Sequence, residues 1–133
     1  MEREHTQIIW DHMHIRTSNV EDDARWFEEI LGANIIRSPG RVDVEIGGAR
    51  IFLAPATAED KVHSPPSHPH LGLDHFGFSV VGLASLVDTL RTKGVIFTSD
   101  FRQVRPGVSA CFIQGPQGIS IELVERTPAT ILA

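Results

Sequence analysis

Cysteine is nearly absent from this chain: Cys111 is the only one in 133 residues. A lone cysteine closes no internal disulfide, so the fold does not depend on an oxidising compartment. Long apolar runs are missing as well. No stretch reaches the roughly 18 residues that mark a membrane-spanning helix, and the polar opening "MEREHTQ" lacks the apolar centre of a secretory signal. Basic charge is scarce: 12 Lys and Arg stand against 17 Asp and Glu, a net charge of −5. An acidic chain gains little from phosphate backbones or anionic lipid, which argues against nucleic acid and membrane as partners. There is no Gly-rich phosphate loop and no Ser-His-Asp order. The cytoplasm is the expected location.

What is present is ordinary in bulk and unusual in detail. Hydrophobic residues make up 41% and charged residues 22%, as in a globular domain, and the length suits a single domain over 1–133. Histidine is plentiful, with seven copies. It is the commonest metal ligand and an acid or base near neutral pH.

The chain repeats itself. Asp11-His12 and Asp74-His75 stand 63 residues apart, and each pair opens a strand pattern, a short turn and a helical stripe. The first helix reads from a capping box, Ser18 with Glu21, through Ala24, Phe27, Ile30 and Leu31 to a stop at Gly32. The second reads from Leu83 to Lys93, with Leu86, Val87 and Leu90 on its stripe and Gly94 as its stop. Trp26 and Phe27 read as helix-packing residues, and Cys111 as a small buried hydrophobe.

Strands fill the remainder. Unit one (8–55) reads as Ile8–Arg16, Asn34–Ser38, Val42–Ile46 and Ala49–Ala54, with Gly47-Gly48 as a hairpin turn. Unit two (73–126) reads as Leu73–Val80, Val95–Asp100, Ser109–Gln114 and Ile119–Glu125, with "GPQG" as the matching turn. Each unit is β-α-β-β-β. A linker, 56–72, is rich in Pro, Ser and His; its His63, His68 and His70 suit either a lid or a plain polar loop.

Two such units, an Asp-His strand opening in each, and "GPQGISIELVE" near the end resemble the vicinal oxygen chelate superfamily over about residues 8–125. That superfamily includes glyoxalase I, methylmalonyl-CoA epimerase, extradiol dioxygenases and antibiotic-resistance proteins. "EEILGA" and "LDHFGFSV" look most like the small epimerases. The resemblance implies an α+β fold of two βαβββ modules forming a cupped mixed sheet around one divalent metal. Carried over by position, the ligands would be His12, His75 and Glu122. Two imidazoles and a carboxylate suit Fe, Mn, Co, Ni or Zn rather than calcium. The fourth strand of unit one departs from glyoxalase I, which supplies a further ligand there; here Arg50, Phe52 and Ala54 face that way.

Period-two alternation agrees with the resemblance. Met13 and Ile15 oppose His12, His14 and Arg16; Phe76 and Phe78 oppose His75 and Gly77; Ile121 and Leu123 oppose Ser120 and Glu122. Every implied ligand falls on the polar face of its strand. His14, Glu45 and Glu122 are the candidate proton carriers. Arg16, Arg50 and Phe52, with Arg102 and Arg105 in the loop before the seventh strand, are candidate substrate contacts.

The expected activity is metal-dependent proton transfer on a small substrate bound through vicinal oxygens, in the manner of an epimerase or glyoxalase-like lyase or isomerase. A three-ligand site with open positions leaves an Fe(II) extradiol-type dioxygenase as an alternative. A drug-binding resistance protein without catalysis is the third. Open sheet edges imply a homodimer.

Overall fold

The computed structural model describes residues 5–127. The first four residues of the polar opening, and 128–133, lie outside the described residues. The chain divides into two compact units, with the boundary between Asp60 and Lys61.

Unit one contains β1 (Met13–Thr17), α1 (Val20–Leu31), β2 (Asn34–Ser38), β3 (Arg41–Ile46) and β4 (Ala49–Pro55). Its sheet runs in the order β1-β4-β3-β2. β1 is parallel to β4 and the other pairs are antiparallel. Gly47 and Gly48 both hold positive φ, 56° and 84°, as a tight hairpin turn between β3 and β4 requires. The apolar face of this sheet, with Ile15, Val44, Ile51 and Leu53, is buried together with Ala24 and Phe27 of α1. Trp26 lies edge-on to Phe27, 5.1 Å between ring centroids.

Unit two repeats the plan with β5 (Phe76–Ser79), α2 (Leu83–Thr92), β6 (Phe97–Arg105), β7 (Val108–Gln114), a 3₁₀ turn (Pro116–Gly118) and β8 (Ser120–Arg126). Its order is β5-β8-β7-β6, again with the first and last strands parallel. Leu83, Val87 and Leu90 of α2 are buried with Cys111, Ile113, Ile121 and Leu123. Two four-stranded mixed sheets with one helix each make the fold α+β, as expected.

The larger differences from the sequence reading have local reasons. β1 begins at Met13 rather than Ile8, because its parallel partner β4 begins only at Ala49, just after the Gly47-Gly48 turn, and offers Ile8–Trp10 nothing to pair with; Ile8, Ile9 and Trp10 are exposed. β5 begins at Phe76 rather than Leu73, since its partner β8 starts at Ser120. β6 runs on to Arg105 through register shifts against β7, so Arg102 and Arg105 lie in a strand and not in a loop. The helix cap is Asn19, whose Oδ1 accepts from the Asp22 N–H at 3.0 Å, and not Ser18. Glu21 does not fold back to complete a box, because Arg37 holds its carboxylate at 2.7 Å. Gly32 does end α1, in the left-handed region, with its N–H on the Glu28 carbonyl.

α2 has no capping side chain of its own, because Gly82 occupies the cap. Glu125 of β8 serves instead, accepting from the Gly82 N–H at 2.9 Å and the Leu83 N–H at 3.0 Å. Those two backbone donors hold the Glu125 carboxyl below its ordinary value of 4.5. A carboxyl depressed by folding stabilises above its unfolded pKa, and that stability is lost as pH falls through the folded value. Glu125→Gln is therefore expected to melt at lower temperature than the natural chain at pH 7, with the gap closing as the scan is repeated below pH 4.5. Cys111 is 1% exposed, and burial pushes its thiol up to about 11. It should resist a thiol reagent at pH 8 in the folded chain and react on unfolding in guanidinium, followed by absorbance.

Candidate functional site

Each repeated Asp-His pair forms one internal contact. In unit one the Asp11 Oδ2 lies 2.5 Å from His12 Nδ1. In unit two the Asp74 Oδ2 lies 2.7 Å from His75 Nδ1. A carboxylate only accepts, so Nδ1 carries the proton in both rings and Nε2 is the nitrogen left for another partner. For His75 that partner is already near: Glu122 Oε1 is 3.3 Å from Nε2. The Asp74 hydrogen bond raises the pKa of His75, the Glu122 charge adds to it, and partial burial works against both. Asp74 is correspondingly lowered, chiefly by the hydrogen bond from His75.

The two sheets use the same positions differently. In unit one, His14, Phe52 and Asp43 stand side by side across β1, β4 and β3. In unit two, the matching row across β5, β8 and β7 is Gly77, Glu122 and Phe112. The acid and the aromatic have exchanged strands. His75 consequently meets an acid on the neighbouring strand, and packs edge-on to Phe112 one strand further, at 4.8 Å. His12 instead stacks on Phe52, 4.2 Å between centroids at 19°, while His14 stands edge-on to both rings. Gly77 lies close against the neighbouring strand. A Cβ there would sit 3.1 Å from the Glu122 carbonyl oxygen and 3.3 Å from its Cβ.

The acid of unit one is structural. Asp43, 4% exposed, accepts from Arg41 Nε at 2.9 Å and from Arg50 at 3.3 Å. Arg50 also donates to Glu45 at 2.9 Å, and the Arg41 guanidinium lies 3.9 Å from the centre of the Phe52 ring. Arg16 donates to the Pro55 carbonyl and reaches Asp60 at 3.5 Å. A cleft of about 560 Å³ opens beside this network, lined by Asp11, Glu45, the Gly47-Gly48 turn, Arg50 and Phe52.

Of the implied ligands, unit two brings His75 and Glu122 together, and His12 belongs to unit one. Among the described residues no three His, Cys, Asp or Glu side chains form a group able to hold an ion. Of the candidate proton carriers, Glu45 is engaged by Arg50, and no hydrogen bond from His14 occurs among the described residues. Arg102 and Arg105 are exposed on β6. In the linker, His68 Nε2 is 3.2 Å from the Gly118 carbonyl oxygen, and the His68 and His70 rings are 4.9 Å apart. His63 is exposed.

Sequence reasoning did not assign Asp11, Asp74, Gly77, Phe112 or Asp43 a part in the site. The repeated dipeptide was the visible signal for the first two. The rest depend on cross-strand register, which alternation alone does not give.

The family described as the Glyoxalase/Bleomycin resistance protein/Dioxygenase superfamily matches residues 9–123. A lactoylglutathione lyase of Arabidopsis thaliana is 23% identical over 124 residues, 88% of this chain and 44% of the lyase, so the chain spans less than half of that relative's length. A glyoxalase family protein of Bacillus cereus superposes with a TM-score of 0.78 at 19% identity, over 96% of this chain and 100% of that one. A glyoxalase family protein of Enterococcus faecalis gives 0.69 at 25% identity, over 91% and 98%. Among the described residues no helix is long and apolar enough to cross a membrane. The chain belongs to the glyoxalase/bleomycin resistance protein/dioxygenase superfamily.

Proposed function

We propose that this chain is a divalent-metal enzyme that binds a small substrate through two vicinal oxygens and moves a proton on it, as an epimerase or a glyoxalase-like lyase or isomerase. The observation that carries the reading is the pair of aspartates gripping the Nδ1 of His12 and His75, with Glu122 Oε1 3.3 Å from the Nε2 of His75. An outer carboxylate that fixes the ring and tautomer is the usual support of a metal-binding histidine. The donor set fits Fe, Mn, Co, Ni or Zn. Gly77 fits it as well, since any side chain there would crowd Glu122.

In this reading His12, His75 and Glu122 are the residues that would hold the ion. A bound divalent ion supplies Lewis-acid charge that favours loss of a proton next to a carbonyl. The chain's own residues do the rest. His14 takes or returns the proton, because its ring nitrogens carry no hydrogen bond among the described residues, whereas Arg50 occupies Glu45. Phe52 holds the plane of His12 by stacking, and Arg41 backs Phe52 from its guanidinium. The single-strand partners of β1 and β5 leave sheet edges that suit a homodimer.

The first test is metal content of anaerobically purified protein, with oxygen uptake measured against catechols. One equivalent of metal and no oxygen uptake supports proton transfer. Iron with uptake replaces it by ring-cleaving dioxygenation, and no metal under any loading leaves ligand binding without catalysis. His12→Ala, His75→Ala and Glu122→Ala are each expected to lose stoichiometric metal by elemental analysis while keeping the far-UV circular dichroism of the natural chain. Asp74→Ala removes only the orienting partner of His75, and should weaken metal binding roughly 10- to 100-fold. Gly77→Ala should displace Glu122 and weaken metal binding by about tenfold, measured by metal titration of protein that keeps the far-UV circular dichroism of the natural chain.

A further inference from the structure

The arginines on the polar faces of the two sheets are in opposite states. In unit one each is matched: Arg16 with Asp60, Arg41 with Asp43, and Arg50 with both Asp43 and Glu45. In unit two, Arg102, Arg105 and Arg126 are exposed, and none makes an ion pair or hydrogen bond among the described residues. Register puts these three on one face. Arg105 and Arg126 stand on either side of Val108, and Arg102 stands opposite Ala110. Residues directly opposite across antiparallel strands share a face, so all three share it with Phe112 and Glu122. Their row neighbours Val108, Ala110 and Val124 are apolar and bring no counter-charge. Glu122 is engaged with His75, Asp100 is held by Arg91, and Glu125 faces α2.

Three uncompensated guanidinium groups on one sheet face cost repulsion, and in a chain of net charge −5 they are not part of a general basic surface. They sit on strands, so their spacing is fixed. At about 3.3 Å per residue, the Arg102 row lies about 7 Å from the Glu122 row, and the Arg105–Arg126 row about 13 Å. We infer that Arg102, Arg105 and Arg126 form an oxyanion-binding subsite, and that the substrate carries a phosphate or carboxylate group about 7–13 Å from the end that meets Glu122. The word substrate rests on the proposed function; the subsite itself does not.

The test uses metal-free protein, titrated calorimetrically with inorganic pyrophosphate and, separately, with succinate at 50 mM and 500 mM salt. One-site binding that weakens with salt is expected, reduced at least tenfold in Arg102→Ala and in Arg126→Ala and kept in Arg25→Ala on α1. Tighter pyrophosphate assigns a phosphate, and tighter succinate a carboxylate. No binding of either anion by the natural chain, or undiminished binding in the Arg102 and Arg126 variants, overturns the subsite. Because no metal is present in the titration, failure of the metal reading leaves this result intact, and the reverse holds too.

Discussion

A carboxylate hydrogen-bonded to the Nδ1 of the next histidine is the contact on which the rest of the site depends. It occurs twice, at Asp11-His12 and Asp74-His75, in each case just before a short edge strand begins. An imidazole at such a place is free to swing about two torsions and to swap its proton between nitrogens. The aspartate removes the tautomeric freedom outright and much of the rotational freedom. What remains to fix is the tilt of each ring, and the two units do this with different aromatics: Phe52 stacked face-on in one, Phe112 edge-on in the other.

The remaining electrostatics follow the same division. Unit one is a closed ledger of charge on its polar face, where Asp43 binds two arginines and Glu45 shares one of them. Such a network rigidifies the sheet under Phe52, because removing one partner would leave a buried carboxylate unmatched. Unit two leaves its charge open. Glu122 turns to His75, Glu125 turns the other way to cap α2, and the arginines of β6 and β8 have no ion-pair partner among the described residues. β8 therefore connects a helix terminus on one face to the candidate ligand on the other through two glutamates three residues apart on a single strand.

Much of this was legible in the sequence. The repeat gave the βαβββ plan, and alternation placed His12, His14, His75 and Glu122 on polar faces that burial then matched, with Ile15, Ile121 and Leu123 buried opposite them. Helix stops at Gly32 and Gly94 were readable because positive φ favours glycine. What was not legible depended on partners distant in sequence. The strand starts at Met13 and Phe76 are set by where β4 and β8 begin. Asn19 rather than Ser18 caps α1 because its Oδ1 accepts from the Asp22 N–H, while Glu21 pairs with Arg37, 16 residues away. Arg16 and Arg50 looked available for a ligand until Asp60, Asp43 and Glu45 were found beside them, and no local pattern announces such pairs.

The exchange of acid and aromatic between the two sheets bears on how such a chain can arise by copying. Two identical copies of unit one would carry phenylalanine at both positions now held by Phe52 and Glu122, and so no carboxylate on either parallel strand. Two copies of unit two would carry a glutamate at both. Neither doubled chain has the natural set of one acid and one ring. The halves are therefore no longer interchangeable spare parts. A substitution at Phe52 or Glu122 finds no backup in the other half, although the backbone of each half still follows the same plan.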